Sequence, residues 1–349
     1  MWPANKKIRV MVIDDSILAR KLIVDGLSRS PRIEVVGTAF NAQDAMSKVP
    51  QLRPDVITSD VEMPGMSGID FLKKLLPRHP LPVILVSSLN LRVFDALSAG
   101  AVDFVRKPEP GKNEEFIKSL TLKVISAAGA KVRQAAQAAS APLSGPLAAQ
   151  PLGARPGLDR VIIGLGASTG GTEATLEVLK RLPADIPGML IVQHMPTGFT
   201  QMYAERLNRL CQMEVREAKN GDEVRRGLVL LAPADFQMRI VRSGVRYTVS
   251  CTADPKVSGH RPSVDALFTS MAEQVRCRMV GIIMTGMGRD GADGLLKMRK
   301  NGAYTIGQDK ESCVVYGMPM VAQNIGAVQI QASCENIANV LLRQLNTIQ

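Results

Sequence analysis

Short runs of Val and Ile alternate along the chain with segments whose apolar residues recur every three or four positions. In the first third, IRVMVIDD, EVVGTAF, DVITSD, PVILVSS and DFVRKP read as five strands. Between them, ARKLIVDGLSRS, AQDAMSKVPQL, GIDFLKKLLPR and VFDALSAG carry helical spacing. After an interruption the style returns with other contents. RVIIGLGAS, GMLIVQHM, GLVLLAP, MVGIIMTGM and AYTIGQD are the expected strands, and TEATLEVLKRL, TQMYAERLNRL, SVDALFTSMAEQV and GADGLLKMRKNG the expected helices. MRIVRSGVRYTVS predicts a hairpin turning at Ser243-Gly244, an antiparallel addition to a mainly parallel sheet.

Alternating strands and helices imply parallel sheets covered on both faces. The expected fold class is therefore α/β, with two doubly wound domains. The first is a five-stranded parallel, flavodoxin-like sheet; the second is a Rossmann-like, mostly parallel sheet with the antiparallel hairpin. The interruption, SAAGAKVRQAAQAASAPLSGPLAAQPLGARPGL, is Ala-rich and then punctuated by Pro, Gly and Ser. Its first half can extend a helix, and its second reads as a linker. Domains are expected over 1–125 and 158–349, joined by a linker over 126–157.

Composition narrows the classes. Hydrophobic content of 46% with 21% charged residues describes a globular chain. No apolar run approaches bilayer length, and the first apolar stretch ends at Asp14 and Asp15, too short for a signal peptide. The expectation is a cytoplasmic protein, a monomer, with no membrane insertion. The five cysteines are scattered without a C-x-x-C pair, which argues against disulfide and zinc frameworks. The net charge of +11 is spread, +4 through residue 125 and +7 beyond it, and aromatics are only 4%. Neither a basic stripe nor a stacking platform for nucleic acid is visible, so no nucleic-acid partner is expected. An acidic protein surface suits the charge better.

Open parallel sheets bind ligands beyond the carboxyl ends of their strands. In the first half those ends carry Asp14 and Asp15, Asp60, Ser87, and Lys107 followed by Pro108. Three carboxylates on one spot repel unless a cation lies between them, and hard oxygen ligands suit Mg²⁺. A lysine and a hydroxyl beside them complete a cradle for a phosphoryl group. With these residues, positions 6–122 resemble a two-component receiver domain. The resemblance implies that Asp60 is the phosphoacceptor, and that Asp14, Asp15, Asp60 and the backbone carbonyl of Glu62 hold Mg²⁺. It gives Ser87 the switch-hydroxyl position, Phe104 the aromatic switch position, and Lys107 the phosphate contact with a cis bond to Pro108.

VIIGLGASTGG, residues 161–171, admits two readings. A dinucleotide fingerprint fits Gly164 and Gly166, but Thr169 holds its third position, and Asp185 lies in a loop rather than at a strand end. Gly166-Ala167-Ser168-Thr169-Gly170 satisfies G-x-S-x-G between strand and helix, a turn that presents a serine hydroxyl. Its glycines are expected to let the chain turn sharply and to leave room for substrate above Ser168. A nucleophilic serine needs a base. His79 lies in a turn of the first half; His194 ends a strand; His260 lies in VSGHRPSVD, where it lines a cleft or helps cap a helix. The strand-end rule favours His194 over His260. The orienting carboxylate is Asp290, on a glycine-rich turn after MVGIIM, with Asp293 as a cap of the next helix.

The motifs GASTGG, QHM, GHRPSVD and TGMGRDGA, over roughly residues 158–345, resemble the catalytic domain of the chemotaxis protein-glutamate methylesterases. The resemblance implies Ser168 as nucleophile, His194 as base and Asp290 as orienter, with Thr169 and the Met287 backbone in the pocket. It implies hydrolysis of γ-glutamyl methyl esters on chemoreceptors, with deamidation of glutamines and no cofactor for the esterase chemistry. It also implies a chemotaxis histidine kinase as phosphodonor, and a receiver that obstructs the esterase until phosphorylated. The competing outputs are a DNA-binding domain, for which no compact helix-turn-helix is visible, and a nucleotide-dependent oxidoreductase, for which the fingerprint is incomplete.

Overall fold

The computed structural model describes residue 3 and residues 6–88, 92–132 and 150–348. They fall into two units, Met1–Pro142 and Leu143–Gln349, each described by itself.

The first unit runs β1 (Ile8–Ile13), α1 (Ile17–Ser28), β2 (Ile33–Ala39), α2 (Ala42–Leu52), β3 (Val56–Asp60), α3 (Gly68–Leu75), β4 (Val83–Ser87), α4 (Arg92–Ser98), β5 (Asp103–Arg106) and α5 (Asn113–Ala127). All five strands pair in parallel, in the order β2-β1-β3-β4-β5. β3 and β4 are buried along their whole length, as strands covered on both faces must be. Ser16, Asn41 and Ser67 accept from the first turns of α1, α2 and α3 and start those helices. The sheet changes its direction of winding between β1 and β3, so a crevice forms where those two strands end. The Lys107–Pro108 bond, expected to be cis, is not: the one cis peptide among the described residues joins Arg261 to Pro262.

The second unit runs from a 3-10 turn over Pro156–Arg160 through β6 (Val161–Ala167), α6 (Gly171–Leu179), β7 (Met189–Gln193), α7 (Phe199–Leu210), β8 (Glu214–Glu217) and β9 (Leu228–Leu231). It continues through β10 (Gln237–Ser243), β11 (Arg246–Thr252), α8 (Val264–Gln274), β12 (Arg278–Ile283), α9 (Ala292–Lys300), β13 (Tyr304–Gln308), α10 (Met318–Asn324), β14 (Ile330–Ala332) and α11 (Ile337–Asn346). Seven parallel strands form one sheet, β14-β13-β12-β6-β7-β9-β8. The hairpin turns one residue later than expected, with Ser243 opposite Arg246 and Gly244-Val245 between them. It also forms a sheet of its own instead of joining the parallel one. Its buried residues Met238, Ile240 and Val249 share a core with Leu267 and Met271 of α8, and the Ile240 N–H donates to Ser270 Oγ at 3.0 Å.

Residues 133–149, most of the expected linker, lie outside the described residues. Before it α5 reaches Ala127, and after it the Asp185 carboxylate accepts from the N–H groups of Leu152 and Gly153 at 2.9 and 3.0 Å. Asp185 also holds Arg226 at 2.8 Å. That carboxylate is committed to structure, which removes it from any nucleotide-binding reading.

The glycines of β6 serve packing. A Cβ on Gly166 would lie 2.2 Å from Val264 Cγ1, and one on Gly164 would lie 2.6 Å from Met271 Sδ. Both neighbours belong to α8, so these glycines make room for a helix beneath the sheet end, where substrate space was expected. Gly166→Ala should therefore destabilise the second unit by about 1–3 kcal/mol through overpacking. The measurement is urea unfolding, with a lower midpoint at unchanged m-value.

Candidate active site

β6 and β12 are neighbours, yet their crossovers leave in opposite directions, β6 toward β7 and β12 toward β13. Their carboxyl ends flank the crevice of this sheet. Ser168 follows β6 directly, and its N–H donates to Thr285 O, beyond β12, at 3.0 Å. Gly170 then turns the chain at φ +75° into α6, a conformation that costs glycine nothing. Thr169 is buried, and its carbonyl accepts from Thr285 Oγ1 at 3.0 Å.

His194 follows β7. Its Nδ1 lies 3.1 Å from Ser168 Oγ and its Nε2 lies 2.8 Å from Asp290 Oδ2. A carboxylate facing Nε2 fixes the proton there, leaving the Nδ1 lone pair for the serine hydroxyl. Gln193, the last residue of β7, spans the same gap from below. Its Nε2 donates to Ser168 O at 2.9 Å and to His194 O at 3.3 Å. His260 stacks on His194, with ring centroids 3.9 Å apart and planes 7° from parallel. His79 is half-buried in the first unit.

Asp290 is only 2% exposed. Besides His194 it accepts from Ser263 Oγ at 2.7 Å, Val264 N–H at 2.8 Å and Asp265 N–H at 3.0 Å. Burial works against its charge, but His194, the Asp265 amide and the Ser263 hydroxyl outweigh burial and hold the carboxyl below its ordinary value. Asp290, from the turn before α9, thus caps α8. In return Asp265, in the first turn of α8, accepts from Gly294 N–H of α9 at 2.8 Å. Asp293, expected as that cap, is exposed and pairs with Arg289 at 2.8 Å. Met287 lies between Thr285 and Asp290, with its side chain 37% exposed.

In the first unit Asp14, Asp15 and Asp60 bring carboxylate oxygens within 4.8 Å of one another. Lys107 Nζ reaches Asp60 Oδ2 at 2.6 Å and Asp14 Oδ2 at 3.1 Å. Burial, with Asp14 adding to it, raises the Asp60 pKa against the pull of Lys107. Burial would lower that of Lys107, but Asp60 and Asp14 reverse the direction. Apart from the Lys107 ammonium, Asp14 Oδ2 is buried without a hydrogen-bond donor. Three crowded carboxylates facing a single ammonium fit a hard divalent cation. The Glu62 N–H donates to Asp60 Oδ1 at 3.1 Å. Ser87 Oγ donates to Ser88 O at 2.9 Å, and Phe104 is buried edge-on to Phe94.

Residues 163–341 match the family described as CheB methylesterase, and residues 10–121 match the response regulator receiver domain. The protein-glutamate methylesterase/protein-glutamine glutaminase 2 of Syntrophomonas wolfei is 48% identical over 346 residues, covering 98% of this chain and 99% of that one. The chain belongs to the CheB methylesterase family. A second CheB-type relative, the protein-glutamate methylesterase/protein-glutamine glutaminase of Syntrophotalea carbinolica, is 46% identical over 95% of this chain and 96% of its own. The solved CheB methylesterase catalytic domain of Thermotoga maritima covers 52% of this chain and 97% of its own, at 34% identity and a TM-score of 0.51. No helix among the described residues is long and apolar enough to cross a membrane.

The sequence expectations for Ser168, His194 and Asp290 name three residues that this CheB fold brings into one chain of contacts. Gln193, Ser263 and Asp265 were missed. Each sits inside a quoted motif, QHM or GHRPSVD, but only its long-range partners reveal what it does. A depressed carboxyl pKa stabilises the fold above the ordinary carboxylate value and loses that contribution as pH falls through the folded value. The stability advantage of the wild type over Asp290→Asn should accordingly shrink as pH falls below that ordinary value. Urea midpoints across that acid range check this, and an advantage that grows there refutes it.

Proposed function

We propose that the chain is a phosphorylation-regulated serine hydrolase that demethylates γ-glutamyl methyl esters on chemoreceptors and deamidates receptor glutamines. The observation that carries the reading is the unbroken line from Ser168 Oγ through the His194 ring to the buried Asp290. Ser168 Oγ attacks the ester carbonyl while His194 Nδ1 takes its proton, and Asp290 stabilises the imidazolium through Nε2. The oxyanion forms at the start of α6, where the Thr169 backbone, the helix dipole and the Met287 backbone supply the positive edge. Collapse expels methanol, protonated by His194, and leaves a glutamyl ester on Ser168. A water molecule, deprotonated by the same nitrogen, then releases glutamate. An amide substrate follows the same route and releases ammonia.

Residues 1–125 serve as the receiver and 158–349 as the esterase, joined by the linker over 126–157. Asp60 accepts a phosphoryl group from a chemotaxis histidine kinase, with Lys107 and Ser87 positioned to hold its oxygens. Asp14, Asp15, Asp60 and the Glu62 carbonyl would hold Mg²⁺, which when bound offsets the crowded negative charge of that site. Phosphorylation then shifts the protein from a blocked to an open population, with Phe104 in the responding core. The protein acts in the cytoplasm as a monomer.

Methanol release from a methylated receptor, with and without a small phosphodonor and Mg²⁺, tests the whole reading. Ser168→Ala should lose nearly all activity, and retention of a tenth would overturn the nucleophile. Asp290→Asn should cost on the order of 10⁴ in kcat if the tautomer argument holds. Asp60→Asn should abolish the stimulation by phosphodonor. A fragment lacking residues 1–150 should be active without it; a folded but inactive fragment counts against autoinhibition.

A further inference from the structure

Two hydrogen bonds fix the His194 ring only in part. Both act at ring nitrogens, Nδ1 toward Ser168 and Nε2 toward Asp290, so the remaining freedom is a tilt of the ring about its own Cβ–Cγ bond. Nδ1 lies farther from the axis of that bond than Nε2, so a small tilt displaces the lone pair from the serine hydroxyl more than it displaces Nε2 from the carboxylate. A plate against a ring face limits that tilt.

The imidazole of His260 does so, 3.9 Å from centroid to centroid and within 7° of parallel. A near-parallel pair with so short a separation gains less from its quadrupoles than an offset or edge-on pair. The backbone has to hold it there. The His260 N–H donates to Val257 O at 2.8 Å, and its carbonyl accepts from Val257 N–H at 3.0 Å and from Gln237 Nε2 at 2.9 Å. Gln237 is fully buried, and its Oε1 accepts from Ser263 N–H at 2.9 Å. Ser263 Oγ in turn donates to Asp290 Oδ1 at 2.7 Å. One buried glutamine thereby sets both the loop that covers the ring face and the residue that anchors the orienting carboxylate.

We infer that His260 is a positioning residue for the base: its ring is a plate that stops His194 from tilting and keeps Nδ1 aimed at Ser168 Oγ. The inference rests on His194 being the base. It assigns His260 no proton transfer, so any flat ring of similar size should serve and a small side chain should not.

The test uses the full-length protein with His260→Phe and His260→Ala. Methanol release gives kcat and KM, and ¹⁵N–¹H spectra of the His194 ring are recorded without substrate. His260→Ala should lower kcat by about 10- to 100-fold at nearly unchanged KM, the scale of a small misplacement in an active site. His260→Phe should restore most of that loss. The His194 ring should keep the Nε2–H tautomer in all three proteins, with sharp ring signals in the wild type and in His260→Phe and exchange-broadened ones in His260→Ala. Full kcat in His260→Ala overturns the inference. So does an effect confined to KM, which would make His260 a substrate contact, or an equal loss in His260→Phe, which would require the imidazole itself. Ser168→Ala, run alongside, separates the two levels: activity there removes the serine mechanism, whereas an inactive Ser168→Ala with a fully active His260→Ala removes the His260 plate alone.

Discussion

A carboxylate withdrawn from water has to find donors for its charge, and Asp290 sets the terms for everything around it. At 2% exposure it takes four donors: the Ser263 hydroxyl, two amides at the start of α8, and His194 Nε2. Three segments distant in sequence are therefore fixed by one side chain. The start of α8 cannot shift without orphaning the carboxylate, and the His194 ring cannot rotate without leaving its best acceptor. The same charge that organises the fold lies against His194 Nε2.

Both units gather their candidate site residues in the same place, where a parallel sheet changes its direction of winding. They handle charge there in different ways. In the first unit, carboxylates from two strand ends crowd together, and burial with mutual repulsion raises the Asp60 pKa in spite of Lys107. In the second, Asp290 is turned into the start of α8, where N–H groups outweigh burial and hold its pKa down, while that of Asp265, facing the start of α9, is raised by burial and by the charge of Asp290. The first arrangement is poised for a cation or a phosphoryl group. The second is at rest without either.

Most strands and the helices between them were legible because long Val- and Ile-rich runs have few alternatives in a globular chain. Ser168 and His194 were legible because each closes such a run, and Asp290 because it lies on the glycine-rich turn that follows one. What escaped had weak local patterns. β8 is the charged tetrapeptide Glu-Val-Arg-Glu, β14 has three residues, and α5, α10 and α11 have no expected strand directly after them to frame them. The glycines of β6 were read for turning and for substrate room, whereas Gly164 and Gly166 answer to α8, about a hundred residues away in the chain. Gln237 and His260 illustrate the same limit. Their parts depend on contacts with Ser263 and His194 that no window of sequence contains.

The exchange of caps between α8 and α9 has a further consequence. Each helix begins on a carboxylate supplied by the other, Asp290 for α8 and Asp265 for α9. Neither first turn can fray alone, because unwinding one strips the acceptor from its partner. The two helix starts and the turns that carry Ser263 and Asp290 consequently open as a single cooperative block, near the stable end of the local-unfolding spectrum.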